Sequence, residues 1–175
     1  GGNSPGLLRL AYIGLHDPLR LDAKDALKIA QAAGIKAVIV TGDHRLTAQK
    51  IAQELEFDGS PAHITEGSAI EGDSVDITKI DIFARVLPHQ KLLIAEAWQK
   101  RGEVVAMTGD GVNDAPALQQ ADIGIALNSG TDVAKEAADM ILLDDSFHTI
   151  IAAVEEGRTI IDNIRKVVTF LLATG

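Results

Sequence analysis

Cysteine is absent from this 175-residue sequence, and aromatic residues make up only 3% of it. The lack of thiols excludes disulfide scaffolds, cysteine-based zinc sites and thiol catalysis, and it suits a cytosolic setting. Basic residues are outnumbered, since 16 Lys and Arg stand against 25 Asp and Glu, which gives a formal net charge of -9. Because an acidic surface repels phosphate backbones, we expect no nucleic-acid partner.

Several motifs of common enzyme classes are missing as well. The sequence has no Gly-x-Ser-x-Gly elbow, no Gly-x-x-x-x-Gly-Lys-Ser/Thr phosphate loop and no Gly-x-Gly-x-x-Gly fingerprint. The histidines show no metal-binding spacing; they are His16, His44, His63, His89 and His148. The acidic residues between positions 58 and 81 lack the ligand spacing of an EF-hand, so we interpret that segment as a solvated loop with at most one short helix.

Hydrophobic residues account for 46% of the chain, enough for the core of one domain. Short apolar runs alternate with amphipathic segments, which predicts an α/β fold with a parallel sheet flanked by helices. We predict strands at residues 8–15, 36–40, 82–86, 103–107, 123–127 and 140–143. We predict helices from Asp22 to Gly34, from Leu46 to Glu56, from Pro88 to Gly102, and from Phe147 into the tail.

The last residues, 167–175, are apolar but span about half the length that a membrane helix needs. We favour the start of a membrane span, interrupted by the end of the sequence, over a terminal helix docked on the core. The first residues lack an initiator Met, so both ends look like those of a fragment.

The segment at residues 108–116, Thr-Gly-Asp-Gly-Val-Asn-Asp-Ala-Pro, follows a predicted strand, where ligands of parallel sheets bind. Asp110 and Asp114 straddle the turn, Gly111 lets the backbone approach a ligand, and Asn113 can cap the next helix. Clustered carboxylates beside a helix start suit Mg²⁺ bound together with a phosphate. A tight turn whose Asp and Asn residues only make caps is the alternative.

A second candidate segment, Thr41-Gly42-Asp43, follows the strand at residues 36–40. A hydroxyl and open backbone amides there can hold a phosphoryl oxygen, although an ordinary turn explains them too. Lys91, near a helix start, can neutralise a phosphoryl group as a point charge, and otherwise is a solvated lysine. Arg85 lies at a strand end, where a structural ion pair is the alternative to a ligand contact.

Together these segments resemble P-type cation-transporting ATPases over nearly the whole chain. Residues 107–118, Met-Thr-Gly-Asp-Gly-Val-Asn-Asp-Ala-Pro-Ala-Leu, look like the family signature. Asp17-Pro18-Leu19-Arg20 resembles the hinge between the nucleotide-binding and phosphorylation domains, and Thr41-Gly42-Asp43 resembles the phosphate-binding Thr-Gly-Asp. Phe83-Ala84-Arg85-Val86 with Lys91 resembles the segment that carries the active-site lysine. Residues 41–44 and 130–139 look like the type II, calcium-pump-like branch.

The resemblance implies a haloacid-dehalogenase-like fold that lacks its nucleophile strand. It implies phosphoryl transfer from ATP to an Asp in Asp-Lys-Thr-Gly-Thr, with Mg²⁺ and ATP as cofactors. The implied catalytic residues are Thr41, Lys91, Asp110 and Asp114. The implied cofactor-binding residues are Gly42, Asp43, Arg85, Gly111 and Asn113, and the implied metal ligands are Asp110 and Asp114.

The resemblance also implies a division of the chain. Residues 1–21 are a strand and hinge, residues 22–148 the C-terminal part of the phosphorylation domain, and residues 149–175 a stalk helix with the start of a transmembrane helix. The implied partners are ATP, the transported cation, the remainder of the pump polypeptide and, through the C-terminal helix, the membrane. The domain would lie on the cytoplasmic side of a membrane protein.

One departure from the family pattern is that Asp-Lys-Thr-Gly-Thr occurs nowhere in the chain. We therefore expect the chain alone to form no phosphoenzyme and to transport nothing. Two other interpretations stay open. One is a free-standing phosphatase of the same superfamily, and the other is a non-catalytic module that binds Mg²⁺ or phosphate and regulates a partner.

Overall fold

The computed structural model describes residues 22–56, 63–72 and 75–174, and these residues form parallel strands flanked by helices. The strands are β1 (Ile39–Val40), β2 (Ile64–Glu66), β3 (Ile82–Ala84), β4 (Ala106–Gly109), β5 (Ile123–Leu127) and β6 (Met140–Leu142). The helices are α1 (Ala23–Ala32), α2 (Arg45–Glu54), α3 (Pro88–Gln99), α4 (Ala115–Gln120), α5 (Asp132–Ala137) and α6 (Phe147–Thr174). The predicted strand at residues 8–15 and the hinge at residues 17–20 lie outside the described residues.

The described strands form two parallel sheets, whereas the sequence predicted one. The first sheet has the order β1-β3-β2 and the second the order β4-β5-β6. Within the described part of the chain, β1 pairs only with β3 and β4 pairs only with β5, so each is an edge strand there. No described strand pairs with both β1 and β4, so the two sheets are separate in the described part of the chain.

The first sheet is covered on both faces, and its central strand β3 is almost inaccessible to solvent. Ile82 and Ala84 pack with Ala48 and Ala52 of α2, whereas Phe83 points the other way and packs with Ile94 of α3. This alternation is the two-residue period of a strand. Burial on both faces explains why the sequence of β3 is a continuous apolar run.

The second sheet is covered less completely. Ile125 and Leu127 of β5 pack with Leu142 of β6 and with Ile150 of α6. In β4, by contrast, exposed and half-buried residues alternate, and Ala106 and Thr108 face solvent in the described structure. The core of this half is therefore centred on β5 and β6.

Residues 58–81 contain more regular structure than the sequence predicted. In place of a loop with at most one short helix, the described part has strand β2 and two 3-10 helices, Gly67–Glu71 and Ile77–Lys79. Strand β2 exists because it pairs with β3, with Ile64 opposite Ile82, and such a tertiary contact leaves little trace in three residues of sequence. Helix α5 was also not predicted.

Helix α6 begins at Phe147, as predicted, and its first turns dock on α1. The Asp22 carboxylate accepts hydrogen bonds from the Ser146 hydroxyl at 2.8 Å and from the Phe147 N–H at 2.9 Å. Further along, Arg158 Nη2 donates to the Ala33 carbonyl at 3.0 Å. All side chains described beyond Arg158 are exposed, so the rest of α6 projects from the domain.

None of the helices in the described ranges is long and apolar enough to cross a membrane. The start of a membrane span in the tail of α6 stays a prediction.

Candidate functional site

The turn after β4 is organised around the buried side chain of Asp114. Its Oδ2 accepts hydrogen bonds from the N–H groups of Asp110 at 3.2 Å and Gly111 at 3.1 Å. The turn closes tightly because residue 109 is glycine, and a Cβ there would lie 2.5 Å from the Cβ of Asp114. Residues Val112–Asp114 form a 3-10 helix that leads directly into α4. Asp114 therefore holds the backbone of the turn in place.

The predicted role of Asn113 as a helix cap is wrong. The N-cap position of α4 belongs to Asp114, which makes no side-chain cap bond forward into the helix. Asn113 lies inside the 3-10 helix instead, and its side chain is exposed. The reason is that the Asp114 side chain accepts hydrogen bonds from the preceding Asp110 and Gly111 N–H groups, and the 3-10 helix Val112–Asp114 stands before the α-helix.

Lys91, in the first turns of α3, reaches across to this turn. Its ammonium group donates to Asp114 Oδ1, and the Lys91 and Asp114 side chains are only 20% and 10% exposed. Burial alone would raise the pKa of Asp114. The hydrogen bonds from Lys91, Gly111 and Asp110 outweigh that effect, so the pKa of the carboxyl lies below its usual value. Asp114 is thus a carboxylate at neutral pH.

Asp110 contrasts with Asp114, because its carboxylate is exposed and has no hydrogen-bond or ion-pair partner among the described residues. Its backbone is held from the other side, since the Asp110 carbonyl accepts a hydrogen bond from the Thr131 N–H at 2.8 Å. Gly130 makes this approach possible, because a Cβ there would lie 3.0 Å from the Asp110 carbonyl oxygen. The turn thus presents one available carboxylate on a fixed backbone.

The donors of this turn fit a magnesium ion that is shared with a phosphate. Mg²⁺ is usually bound through one or two carboxylates plus phosphate oxygens and keeps several waters. Asp110 supplies one free carboxylate, while both oxygens of Asp114 already accept hydrogen bonds. In the described ranges, no group of three or more His, Cys, Asp or Glu side chains could hold a metal by itself. The remaining ligands would therefore come from a bound phosphate and water.

The other predicted segment, Thr41-Gly42-Asp43, forms an exposed turn at the end of β1. The Thr41 hydroxyl donates to Asp43 Oδ2 at 3.0 Å and accepts from the Asp43 N–H at 3.1 Å. The next residue, His44, caps α2 by accepting a hydrogen bond from the Leu46 N–H at 3.2 Å. The side chains of Thr41 and Asp43 thus form their hydrogen bonds within the turn.

Backbone hydrogen bonds join this turn to the end of β3. The Val86 N–H donates to the Thr41 carbonyl at 3.0 Å, and the Arg85 N–H donates to the Asp43 carbonyl at 2.8 Å. Arg85 has a left-handed backbone (φ 51°), and its guanidinium lies 3.8 Å from Glu66 in an exposed ion pair. The structure therefore brings Thr41, Gly42 and Asp43 to the backbone of Arg85, while its guanidinium is directed to β2.

The two groups of predicted residues are connected by a short stretch of chain. Val86 contacts the Thr41 turn, Pro88 begins α3, and Lys91 in the same helix reaches Asp114. The first group contains Thr41, Gly42, Asp43 and Arg85, and the second contains Lys91, Asp110, Gly111, Asn113 and Asp114. Residues 86–91 therefore set how the two turns are placed relative to each other.

Sequence reasoning missed Gln90, which is buried at the start of α3. Its side-chain oxygen accepts a hydrogen bond from the Leu87 N–H at 3.0 Å, which is one half of a capping box. The spacing of a helix start and a Gln three residues later was visible in the sequence, next to Pro88. This spacing could have identified Gln90 as a capping residue.

The chain matches the family described as haloacid dehalogenase-like hydrolase over residues 7–122. It is 46% identical over 174 residues to a calcium-transporting ATPase of Bacillus subtilis, a match that spans 96% of this chain and 20% of that protein. It is 47% identical to calcium-transporting ATPase 1 of Yarrowia lipolytica over 97% of this chain and 19% of that protein. The chain thus spans about one fifth of the length of these relatives.

Solved structures agree with the sequence relatives. A zinc-transporting PIB-type ATPase in the E2.Pi state superposes with a TM-score of 0.69 at 35% identity, covering 86% of this chain and 21% of that one. The catalytic domain of the CPx-ATPase CopB-B superposes with a TM-score of 0.60 at 29% identity, covering 77% of this chain and 45% of that one.

The chain belongs to the haloacid dehalogenase-like hydrolase family. Within that family its relatives are P-type calcium-transporting ATPases, and it corresponds to part of their phosphorylation domain. The resemblance seen in the sequence is confirmed at this level.

Proposed function

We propose that this chain is the part of an ATP-driven calcium pump that holds Mg²⁺ and the transferred phosphoryl group. The observation that carries the proposal is the turn at Asp110–Asp114, with a free carboxylate on Asp110 beside the buried pair of Lys91 and Asp114. The proposal of calcium as the cation rests on the names of the relatives, which are calcium-transporting ATPases.

In the proposed reaction the bond between the β–γ bridging oxygen and the γ-phosphorus of ATP breaks. A bond forms between that phosphorus and a carboxylate oxygen of an Asp outside this sequence, and ADP leaves. Phosphoryl transfer depends on positioning and charge neutralisation more than on covalent help from the protein. Bound Mg²⁺ would neutralise charge on the phosphoryl oxygens, with Asp110 as its ligand from this chain.

The other residues take roles that follow from their placement. Lys91 neutralises a phosphoryl oxygen, and Asp114 holds both Lys91 and the Asp110 backbone. Thr41 and Gly42 offer a hydroxyl and a backbone N–H at the end of β1. Asp43, Arg85, Gly111 and Asn113 complete the proposed binding residues. Asp114 is the second proposed metal ligand, because its Oδ1 accepts one hydrogen bond, from Lys91, and keeps a second lone pair for the ion.

The proposed setting is a membrane protein with this domain on its cytoplasmic side. Residues 22–148 are the phosphorylation-domain part, and residues 149–175 lead through a stalk helix toward the membrane. The projection of α6 beyond Arg158, with every described side chain exposed, supports a segment that packs against other parts of the pump. Those parts, ATP and the cation are the proposed partners.

The test is phosphoenzyme formation with labelled ATP and Mg²⁺ by the full pump that carries this sequence. We expect an acid-stable, hydroxylamine-sensitive phosphoprotein from the full pump and none from the chain alone, because the chain has no Asp-Lys-Thr-Gly-Thr. Asp110→Asn should abolish the labelling, whereas the matched change Asp25→Asn on the exposed face of α1 should leave it intact. Labelling that survives Asp110→Asn would overturn the proposed metal role.

A further inference from the structure

Helix α3 begins at a set of contacts that we name the α3 junction: Gly67, Glu71, Leu87 and Gln90. Gln90 is 3% exposed, and it and Asp114 are the two buried polar or charged side chains among the described residues. Both of them flank Lys91. Gln90 precedes it in the chain, and Asp114 accepts its ammonium hydrogen bond. Both buried polar side chains in the described part of the chain thus lie next to Lys91.

Both polar atoms of the buried Gln90 amide form hydrogen bonds. Its Oε1 accepts the Leu87 N–H at 3.0 Å, and its Nε2 donates to Glu71 Oε1 at 2.6 Å. One partner is a donor and the other is an acceptor, so only one orientation of the amide satisfies both. The amide therefore ties the first turn of α3 to the 3-10 helix Gly67–Glu71.

Gly67 makes room for this contact. A Cβ at position 67 would lie 2.3 Å from Gln90 Oε1 and 2.9 Å from the Cα of Val86. The 3-10 helix therefore packs directly on the start of α3, with the Gln90 side chain filling the space.

Lys91 follows Gln90 directly and lies beside the α3 junction. Its N–H donates to the Leu87 carbonyl at 3.3 Å, so its backbone belongs to the same first turn. Its side chain is a flexible four-carbon stem with a compact charge, and a small shift at its root moves the ammonium group. Contact with a transferred group loses effectiveness when the contacting group is misplaced by about 1 Å.

We propose that Gln90 is a positioning residue that, through Leu87 and Glu71, directs Lys91 toward Asp114 and the phosphoryl site. The catalytic consequence rests on the proposed function, because Lys91 has a phosphoryl group to contact only there. The placement of Lys91 itself does not depend on that function and can be measured in this chain.

The test records the NMR signal of the Lys91 side-chain ammonium in the ¹⁵N-labelled chain, identified by its absence in Lys91→Met. The pairing with Asp114 slows proton exchange of this group, so the signal should be visible at neutral pH and lost in Asp114→Asn. Gln90→Glu sets a carboxylate against Glu71 and should abolish the signal. The exchange variant Glu71→Gln with Gln90→Glu restores one donor and one acceptor, and it should restore the signal.

The matched control is His89→Ala. His89 Nε2 contacts the same Glu71 Oε1 at 2.9 Å, but its side chain is 60% exposed. This variant should keep the signal, because the amide of Gln90 stays paired. The Leu87 amide hydrogen should exchange slowly in the wild type, in Asp114→Asn, in His89→Ala and in the exchange variant, because the side chain of residue 90 accepts its hydrogen bond there. It should exchange fast in Gln90→Glu, where repulsion by Glu71 displaces the side chain of residue 90.

An unchanged Lys91 signal in Gln90→Glu would overturn the inference. If Gln90→Glu does not fold, the exchange variant decides: a restored signal supports the inference, and an absent signal or an unfolded chain overturns it. Failure of the full pump to form a phosphoenzyme would overturn the proposed function and leave this measurement untouched.

Discussion

The chain uses the tripeptide Thr-Gly-Asp twice, after β1 and after β4, and the two copies are built differently. In the first copy the Thr41 hydroxyl and the Asp43 carboxylate bond to each other, and the turn is largely exposed. In the second copy the Asp110 carboxylate is free, because Asp114 accepts the N–H groups of the turn. The same three residues thus make a self-contained turn in one place and a carrier of an available carboxylate in the other.

The difference comes from what is packed against each copy. Only the second copy has a buried carboxylate four residues on and a lysine from a neighbouring helix that pairs with it. The chemistry of this short motif therefore depends on the tertiary contacts of the residues that follow it.

The largest expected effect comes from removing the support of the second turn. Asp114→Ala leaves the half-buried Lys91 without its carboxylate and frees two N–H groups, and it should lower the free energy of unfolding by about 2–4 kcal/mol. Asp43→Ala in the exposed first turn should cost less than about 1 kcal/mol. Urea unfolding of both variants measures the difference, and equal losses would contradict the comparison.

The two glycines give the next largest contrast. A Cβ at Gly109 would lie 2.5 Å from the Cβ of Asp114, whereas the nearest atom to a Cβ at Gly42 is the Val86 carbonyl oxygen at 3.7 Å. We expect Gly109→Ala to destabilise the chain by about 1–3 kcal/mol and Gly42→Ala by less than about 0.5 kcal/mol. Thermal melting of the two variants tests this, and a tolerated Gly109→Ala would show that the second turn can relax.

The dependence of stability on pH tests the contribution of Asp114 in the second turn. The pKa of Asp114 lies below its usual value of 3.8, so its contribution to stability is present above that value and is lost as the pH falls through the lower, folded-state pKa. The difference in Tm between the wild type and Asp114→Asn should stay constant from about pH 7 to pH 5 and shrink below about pH 4. Melting curves at constant ionic strength provide the check, and a difference that grows in acid would refute it.

The smallest effect is expected from the hydroxyl groups. Thr41→Val removes both hydrogen bonds of the first turn and should cost about 0.5–1.5 kcal/mol. Thr108→Val, at the corresponding position of the second copy, changes an exposed side chain and should alter stability by less than about 0.5 kcal/mol. Chemical denaturation resolves the two, and the reverse order would show that Thr108 has a structural role.

Much of the fold could be predicted because its elements are local. Strand β5 was predicted with its observed bounds, and α6 was predicted to start at Phe147, where it does. The apolar runs and helix periods of these segments are long enough to be recognised alone. Strand β2 was missed, because three residues become a strand only by pairing with β3.

The candidate site divides in the same way. The residue types at positions 41–43, 91 and 110–114 were visible as motifs, because ligand chemistry restricts which side chains and glycines can serve. The division of labour between Asp110 and Asp114 was not visible, since two carboxylates in one turn look equivalent until one is buried against Lys91. The capping-box spacing of Gln90 was visible in the sequence, but its pairing with Glu71 was not, because the two residues lie 19 positions apart.

The class of this protein follows from its sequence: segments alternate between apolar and amphipathic, cysteine is absent, and a twelve-residue signature occurs without the nucleophile motif. The folded chain is needed to see which carboxylate is free, where the described strands divide into two sheets, and which carboxylate Lys91 contacts. The physical reason is that residue type and periodicity act along the chain. Burial, pairing and close approach, by contrast, depend on residues that meet only when the chain has folded.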